Sequence, residues 1–487
     1  MRTPAGLKKK ILSLDELSGG GLWLVGGFVR DALLRRPTAD VDVAVAGDAR
    51  ALAEKFARAE KRRAFALDEE RGTYRVVVED DGQKMDFDFS RLQGKTIEGD
   101  LGRRDFTANA MGLSVADWAA GRWARTIDPF DGRRALQKKE IALVSPRALD
   151  EDPLRLLRAF RFSAELGWAV VPGTFKEIKK RAPEILRSSP ERIREELMKT
   201  LAAPGGSRAF FDLDKAGLLT VLFPEGEPMR RTGKTYYGAG GVLRHSLESM
   251  ASMEEVLGRL SSYFPKFHRP LAAYLNERLG GHPRYAHLKL VELFHDVGKP
   301  ATAKVRDGKL HFYGHDAVGA KMVKRIAERL RFSTNEGRSL TRLVGAHMRP
   351  GNLGHAPQLT ERAIFRFYRD LQEDAVAMLI VALGDPFTYL SERVKRGGKD
   401  PVVLTIRKML ETFFLKRAPV EPPRVLDGNV LMKTLGIKPG PEVGRLLDAI
   451  REAQAAGQVT GRDEALALAR RLHAAAPKAK KIGGSHA

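Results

Sequence analysis

The periodicity of apolar residues changes once along this chain, and that change constrains its fold more than any other feature. From Leu22 to about Val144, short strand-like runs alternate with helical ones. They are Leu22–Val25, a helix over Val29–Leu34, Val41–Val45, a helix over Ala49–Ala59, and strands at Tyr74–Val78 and Lys84–Phe89. From Asp152 onward the spacing is helical, as in Leu154, Leu157 and Phe160, or Ile193, Leu197 and Leu201. The expected fold is an α+β head on a mixed sheet with helices, followed by all-α segments. Phe223–Gly241, with Pro, a Gly cluster, Arg230 and Arg231, reads as a linker, and Lys399–Pro423 as a connector into a last helical segment, Val425–Ala475. The tail Ala476–Ala487 reads as disordered.

A length of 487 residues suits about three domains. Lys and Arg number 84 against 61 Asp and Glu, a net charge of +23 that points to a polyanionic partner, nucleic acid first. The chain has no cysteine, which excludes disulfides, thiolate zinc sites and a cysteine nucleophile. Any metal must therefore be held by His, Asp or Glu. The longest apolar run, Ala375–Leu383, has nine residues, about half a membrane span, and no signal-peptide pattern opens the chain, so a cytoplasmic location with no membrane partner is expected. All eleven histidines lie at or after His245. This separates a carboxylate-and-arginine half from a histidine-bearing half, and predicts two sites.

In the first half, Gly26, Gly27, Phe28, Val29, Arg30 and Asp31 follow a strand and open a helix, a geometry that turns backbone N–H groups toward a phosphate. Asp40 and Asp42 are two apart on a strand and share a face. Two carboxylates side by side call for a cation, and Mg²⁺ suits oxygen ligands and substrate phosphates. Asp86 and Asp88 repeat the pattern; one of them supplies a third carboxylate, with Asp86 the choice made here. Arg103 and Arg104 are candidates to bind a triphosphate or an RNA backbone.

GGFVRD at Gly26–Asp31, then Asp40 and Asp42, then RRDFTANAM at Arg103–Met111, together resemble the nucleotidyltransferase head of class II tRNA nucleotidyltransferases, the CCA-adding enzymes. Bacterial poly(A) polymerases share that head. Asp128, Pro129, Asp131 and Gly132 resemble the family's head-to-neck motif. Glu151–Arg155 match its amino-acid template motif, and Arg192 in SPERIREEL fits its last helical motif. The resemblance implies catalysis by Asp40, Asp42 and Asp86 with Mg²⁺ on Asp40 and Asp42. It places Gly26, Gly27, Arg30, Arg103, Arg104, Asp105, Asn109, Asp152, Arg155, Arg158 and Arg161 around the nucleotide.

Asp152 and Arg155 are three apart and would share a helix face. A carboxylate accepts from the exocyclic amine of cytosine or adenine, and a guanidinium donates to the adjacent ring nitrogen; guanine and uracil present a carbonyl instead. Such a pair selects C and A without a nucleic-acid template. An intrahelical ion pair is the plain alternative. Two departures from the family pattern stand out. Ala108 replaces an expected Ile or Met, and only eight residues separate Arg91 from Asp100, where CCA-adding members have a longer loop associated with the switch to ATP.

In the second half, His295 and Asp296 end the apolar run Leu288–Phe294; His245 lies upstream, and His315, His347 and Asp385 follow. The order resembles the HD phosphohydrolase superfamily, in which these six residues would hold one or two divalent metals that activate water. His282, His287, His311 and His355 read as surface or core residues. An HD domain behind such a head resembles one group of bacterial CCA-adding enzymes, and implies phosphodiesterase or phosphatase activity, for instance on 2′,3′-cyclic phosphate ends.

The expected plan is a nucleotidyltransferase head over residues 1–145, a helical neck and body over 146–235, an HD domain over 236–400 and a helical C-terminal segment with a basic flexible tail over 401–487. The expected function is template-independent addition of C, and of the terminal A in a full CCA-adding enzyme, to the 3′ end of tRNA from CTP and ATP. Three rivals are a CC-adding enzyme, a poly(A) polymerase, and an HD phosphohydrolase with an RNA-binding head.

Overall fold

The computed structural model describes residues 6–70, 72–80, 82–385, 400–416, 420 and 424–475. The chain forms two compact units, Met1–Pro224 and Glu225–Ala487.

The first unit is built on six strands, β1 (Leu22–Val25), β2 (Asp40–Val45), β3 (Ala64–Asp68), β4 (Thr73–Asp80), β5 (Gln83–Arg91) and β6 (Gly112–Ser114), in the order β3-β4-β5-β2-β1-β6. β2 and β5 are parallel, and every other neighbouring pair is antiparallel. Alternation decides the faces. Val41, Val43, Met85, Phe87 and Phe89 are buried. Phe87 and Phe89 meet Phe56 of the helix Ala49–Ala59 at ring distances of 4.9 and 5.8 Å. The intervening aspartates project from the opposite face. Asp48 caps that helix by accepting from the Arg50 and Ala51 amides. β3 went unread in the sequence because only its two ends are even partly buried, leaving no alternation to detect.

Below the sheet the chain becomes helical, with Arg155–Leu166, Pro172–Lys180, Pro190–Ala202 and Gly206–Lys215 as the main elements. In the second unit Gly241–Gly258, Arg284–Phe294, His315–Arg329, Thr334–Ala346 and Ala375–Val381 are helices. Every residue of Ala375–Val381, the apolar run, is buried. Three helices, Gly428–Leu435, Pro441–Ala455 and Arg462–Ala474, close around Leu431, Leu446, Ile450, Ala465 and Ala469. No described helix is long and apolar enough to cross a membrane.

Two stretches read as connections contain helices. Within Phe223–Gly241 lie the short helices Gly226–Arg231 and Lys234–Tyr237, and the unit boundary falls at Pro224. Lys399–Pro423 contains the helix Pro401–Glu411. Pro401 sits in its first turn behind an Asp400 cap, where a proline starts a helix and does not break one. The tail expected to be disordered lies outside the described residues.

Candidate active site and metal centre

Gly26 joins β1 to the helix Gly26–Leu33 with φ +66°, and a Cβ there would lie 2.8 Å from Arg104 Nη1 and 3.0 Å from Asp42 Oδ2. The turn therefore demands glycine. The Gly27 amide donates to Asp42 Oδ2 at 3.0 Å. In the parallel register Asp40 is paired with Asp86 and Asp42 with Asp88, so the two Asp-x-Asp segments lie side by side.

Arg75, on β4, distinguishes the two aspartates of β5. It grips both oxygens of Asp88 at 2.6 Å and reaches Asp86 Oδ2 at 3.1 Å. Asp86 Oδ1 is buried and accepts no hydrogen bond, with Lys84 Nζ 3.4 Å away. Loss of solvation and then the neighbouring Asp86 push the Asp40 carboxyl above its usual range, and burial does the same to Asp42 against the pull of Arg104. Crowded carboxylates with an unsatisfied oxygen fit a hard divalent cation. Asp40, Asp42 and Asp86 are the residues that would hold it.

Five of the expected nucleotide contacts lie behind this site in a buried relay. Arg30 donates to Asp31 and, at 2.7 Å, to Asn109 Oδ1; Asn109 donates to Asp105 at 3.1 Å. Asp105 accepts from Arg158 Nε at 2.9 Å and Nη2 at 2.6 Å. Arg161 donates to buried Glu196 at 2.7 Å. The guanidiniums of Arg30, Arg158 and Arg161 lie 5.5, 5.2 and 4.1 Å from the ring centre of Phe162. Burial works against the Asp105 charge, but Arg158 and Arg155 outweigh it and hold the carboxyl far below its usual range. Arg103, Arg104 and Arg155 instead line a cavity of about 290 Å³ with Asp100, Gln93 and Glu151.

The template pair departs from the helical geometry expected. Asp152 is extended, φ −151°, and the helix starts at Arg155. The cause is Pro153, which disfavours the α region at the residue before it. Asp152 Oδ1 accepts from the Leu154 amide at 3.1 Å, and Oδ2 from Arg192 Nη2 at 2.8 Å. Arg155 donates to the Ala148 and Arg103 carbonyls at 2.9 and 2.7 Å. The sequence missed Arg75, Asp100 and Glu196; the Glu196 partner Arg161 is 35 residues away, whereas Asp100 is bonded to nearby Gln93 and Arg104.

In the second unit the six predicted ligands converge. His245, His295 and Asp385 form one potential metal-holding group, and Asp296, His315 and His347 another, with the ligand atoms of each within 4.8 Å of one another. Three rings are set by backbone: Nδ1 of His295, His315 and His347 lies 2.8, 2.8 and 2.7 Å from the carbonyls of Glu292, Phe312 and Val344. A carbonyl only accepts, so each Nδ1 carries the hydrogen and each ring turns its Nε2 inward, as a lone pair where the ring is neutral. The Nε2 atoms of His315 and His347 face each other at 3.1 Å, and buried His295 Nε2 and Asp385 Oδ1 accept or donate no hydrogen bond. These donors fit one or two divalent metals. Burial and then His295 push His347 down to about 4, whereas Asp296 outweighs burial and raises His295 to about 10. Sequence reasoning missed Lys299, 2.5 Å from Asp296 and 2.7 Å from Tyr237 Oη, and buried Glu292, which burial pushes up to about 8. Tyr237 stacks on His245 at 4.7 Å.

Comparison with known proteins places three family models on the chain: a poly A polymerase head domain over residues 22–142, a probable RNA and SrmB-binding site of polymerase A over 169–229, and an HD domain over 270–380. An A-adding tRNA nucleotidyltransferase of Deinococcus radiodurans is 33% identical over 466 residues, spanning 93% of this chain and 95% of the relative. A CC-adding tRNA nucleotidyltransferase of Thermus thermophilus is 31% identical over 91% of this chain and 92% of the relative. Among solved structures, a Thermotoga maritima CCA-adding enzyme complexed with tRNA shares the fold, with TM-score 0.61 at 19% identity over 96% of this chain and 95% of the other. A head with aspartates side by side on adjacent strands, a helical body and an HD domain, with a 33% identical relative matched over 93% of the chain, mean that this chain belongs to the tRNA nucleotidyltransferase family.

Proposed function

We propose that the chain transfers CMP from CTP to the 3′ end of tRNA without a nucleic-acid template, with Mg²⁺ as the head metal, and adds AMP from ATP in the terminal step. The observation that carries this reading is that Asp40, Asp42 and Asp86 share one face of the sheet, with Asp40 paired to Asp86 across adjacent strands. A divalent cation there supplies charge that lowers the pKa of the attacking 3′-hydroxyl and screens the departing pyrophosphate. The Gly27 amide fixes Asp42, and Arg75 fixes Asp86. Arg103 and Arg104, on the cavity wall, offer positive charge to the triphosphate. Asp152, held by Arg192, presents acceptors that suit the exocyclic amines of C and A.

A second reading, addition of A alone, is favoured by the A-adding relative from Deinococcus radiodurans. The short Arg91–Asp100 connection favours C, because Gln93 N donates to Asp100 Oδ1 at 2.9 Å and pins it down. In the second unit, the inward-turned imidazoles support a metal-dependent phosphohydrolase activity.

The deciding experiment offers each NTP separately to tRNA ending at the discriminator base, at C and at CC, and to an unrelated RNA. Growth by two C and then one A supports the main reading, whereas growth that stops at two C identifies a CC-adding enzyme. Growth only of the CC-ended tRNA, by one A, supports the second. Long A tails on every RNA would identify a poly(A) polymerase, and no growth with Mg²⁺ present overturns the transferase reading.

A further inference from the structure

Lys304–Arg306 and Lys309–His311 form an antiparallel hairpin in the second unit. Its turn is Asp307-Gly308, with φ of +48° and +70°, the pairing of a tight two-residue turn. A two-stranded hairpin is marginal by itself, and this one has little to bury. Lys304, Val305, Arg306 and Lys309 are exposed, Val305 by 72%, and Tyr313 just beyond the hairpin is 69% exposed. Among the described residues none of Lys304, Arg306 and Lys309 forms an ion pair; the acids nearby in sequence are Asp307, at the turn, and Asp316. Tyr313 stacks on His311 at 5.2 Å with planes 8° apart, and the Arg306 guanidinium lies 6.0 Å from its ring centre.

This cationic and aromatic strip runs straight into the metal centre. The carbonyl of Phe312, one residue past the hairpin, accepts from His315 Nδ1 at 2.8 Å. Its ring centre lies 5.5 Å from Lys299 Nζ, which in turn is bound to Asp296. Packing explains Phe312. It does not explain three unpaired cations and an exposed aromatic ring.

We infer that the Lys304–His311 hairpin, with Tyr313, is the rim along which a single-stranded RNA end lies while its terminal phosphate ester enters the His295–Asp296 centre. The inference rests on the phosphohydrolase reading of that centre. Cations along the strip meet successive phosphates, and an exposed ring offers its face to an unstacked base of any identity. A duplex presents no such base, which is why a single strand fits better. In the reaction, water oxygen bonds to phosphorus, the P–O bond to one ribose oxygen breaks, and that oxygen leaves as a hydroxyl carrying a proton from the water.

The test uses the full chain with Mn²⁺ and two substrates, a mononucleoside 2′,3′-cyclic phosphate and a short oligoribonucleotide ending in the same group. Tyr313→Ala, and a triple Lys304→Ser, Arg306→Ser, Lys309→Ser variant, are expected to hydrolyse the mononucleotide as the parent does. On the oligonucleotide each loses about tenfold or more in kcat/KM, mainly through KM. Equal effects on the two substrates, or no effect on either, overturn the inference. A second measurement needs no hydrolysis: the oligonucleotide carries a terminal thiouridine, is cross-linked by light, and the attachment is mapped. A cross-link on the peptide Leu310–Lys321 supports the rim, and its absence overturns it. Should the parent hydrolyse neither substrate, the phosphohydrolase reading is lost and the cross-link alone decides whether RNA occupies the hairpin.

Discussion

Arg192 Nη2 donates to Asp152 Oδ2 at 2.8 Å, joining two residues 40 apart in sequence at the start of two different helices. The bond aims the carboxylate proposed to read the incoming base. Arg192→Ala is expected to lower kcat/KM for the preferred nucleotide about 10- to 100-fold and to narrow its margin over UTP and GTP, because a free carboxylate no longer has one orientation. Single-nucleotide incorporation with each NTP checks this. An equal loss for all four nucleotides would show that Arg192 only supports the fold.

Asp40→Ala and Asp86→Ala are each expected to reduce nucleotide transfer by roughly 1,000-fold or more while leaving circular dichroism unchanged, as loss of a metal-holding carboxylate requires. Asp88→Asn should be milder, since both Asp88 oxygens are engaged by Arg75. Reversed severities of the Asp86 and Asp88 variants would exchange their roles.

Gly26→Ala places a methyl group 2.8 Å from Arg104 and 3.0 Å from Asp42 at a φ of +66°. Backbone strain of about 1–2 kcal/mol is expected. Chemical denaturation measures that loss, and transfer activity should fall further than stability alone explains because the crowded atom belongs to Asp42, a carboxylate of the proposed active site.

Glu336 forms a capping box with Ser333 and accepts from His287 Nε2 at 3.1 Å. Burial opposes its charge, but the bonds from His287 and from the Ser333 hydroxyl and amide win and hold its carboxyl at about 2. A depressed folded-state pKa stabilises at neutral pH, and that contribution fades as pH falls from the unfolded value near 4.5 toward about 2. Glu336→Gln should therefore cost about 1–3 kcal/mol at pH 7. In denaturant titrations the gap to the parent should narrow below about pH 4.5 and close at about pH 2. A gap independent of pH would mean that the charge contributes nothing.

Divalent metal should raise the Tm of the second unit's transition in the parent and leave His295→Ala or Asp296→Ala unmoved. At 100 times Kd the gain is about 2.7 kcal/mol. A parent whose melting ignores Mn²⁺, Zn²⁺ and Mg²⁺ would argue that the histidine cluster is purely structural.

Local pattern made the active-site face legible. Residues 40–43 and Gln83–Arg91 alternate, so the aspartates of each strand were placed on one side before any pairing was known. The parallel register that sets Asp40 beside Asp86 is a long-range fact, so Asp86 was chosen over Asp88 as the third carboxylate without the pairing that supports the choice. Arg75 was hidden for the same reason, because its partners lie on the next strand. For Arg158 and Arg161 the resemblance pointed to the nucleotide, and their ion pairs with Asp105 and Glu196 could not be read from the sequence. Asp152 was misread by its spacing although Pro153 stood beside it. The histidine ligands were legible by order; their backbone tethers were not, since a carbonyl partner leaves no mark in sequence.

Those tethers have a kinetic consequence. Three imidazoles held by carbonyls three residues upstream keep their orientation whether or not a cation is present. Uptake then requires no refolding of the chain, so ions can exchange on the timescale of losing hydration water. Which ion would occupy the centre is then set at equilibrium, by the free concentration of each cation weighted by its affinity for these imidazole and carboxylate donors, so a shift in available manganese, iron or zinc would retune it without any change of sequence.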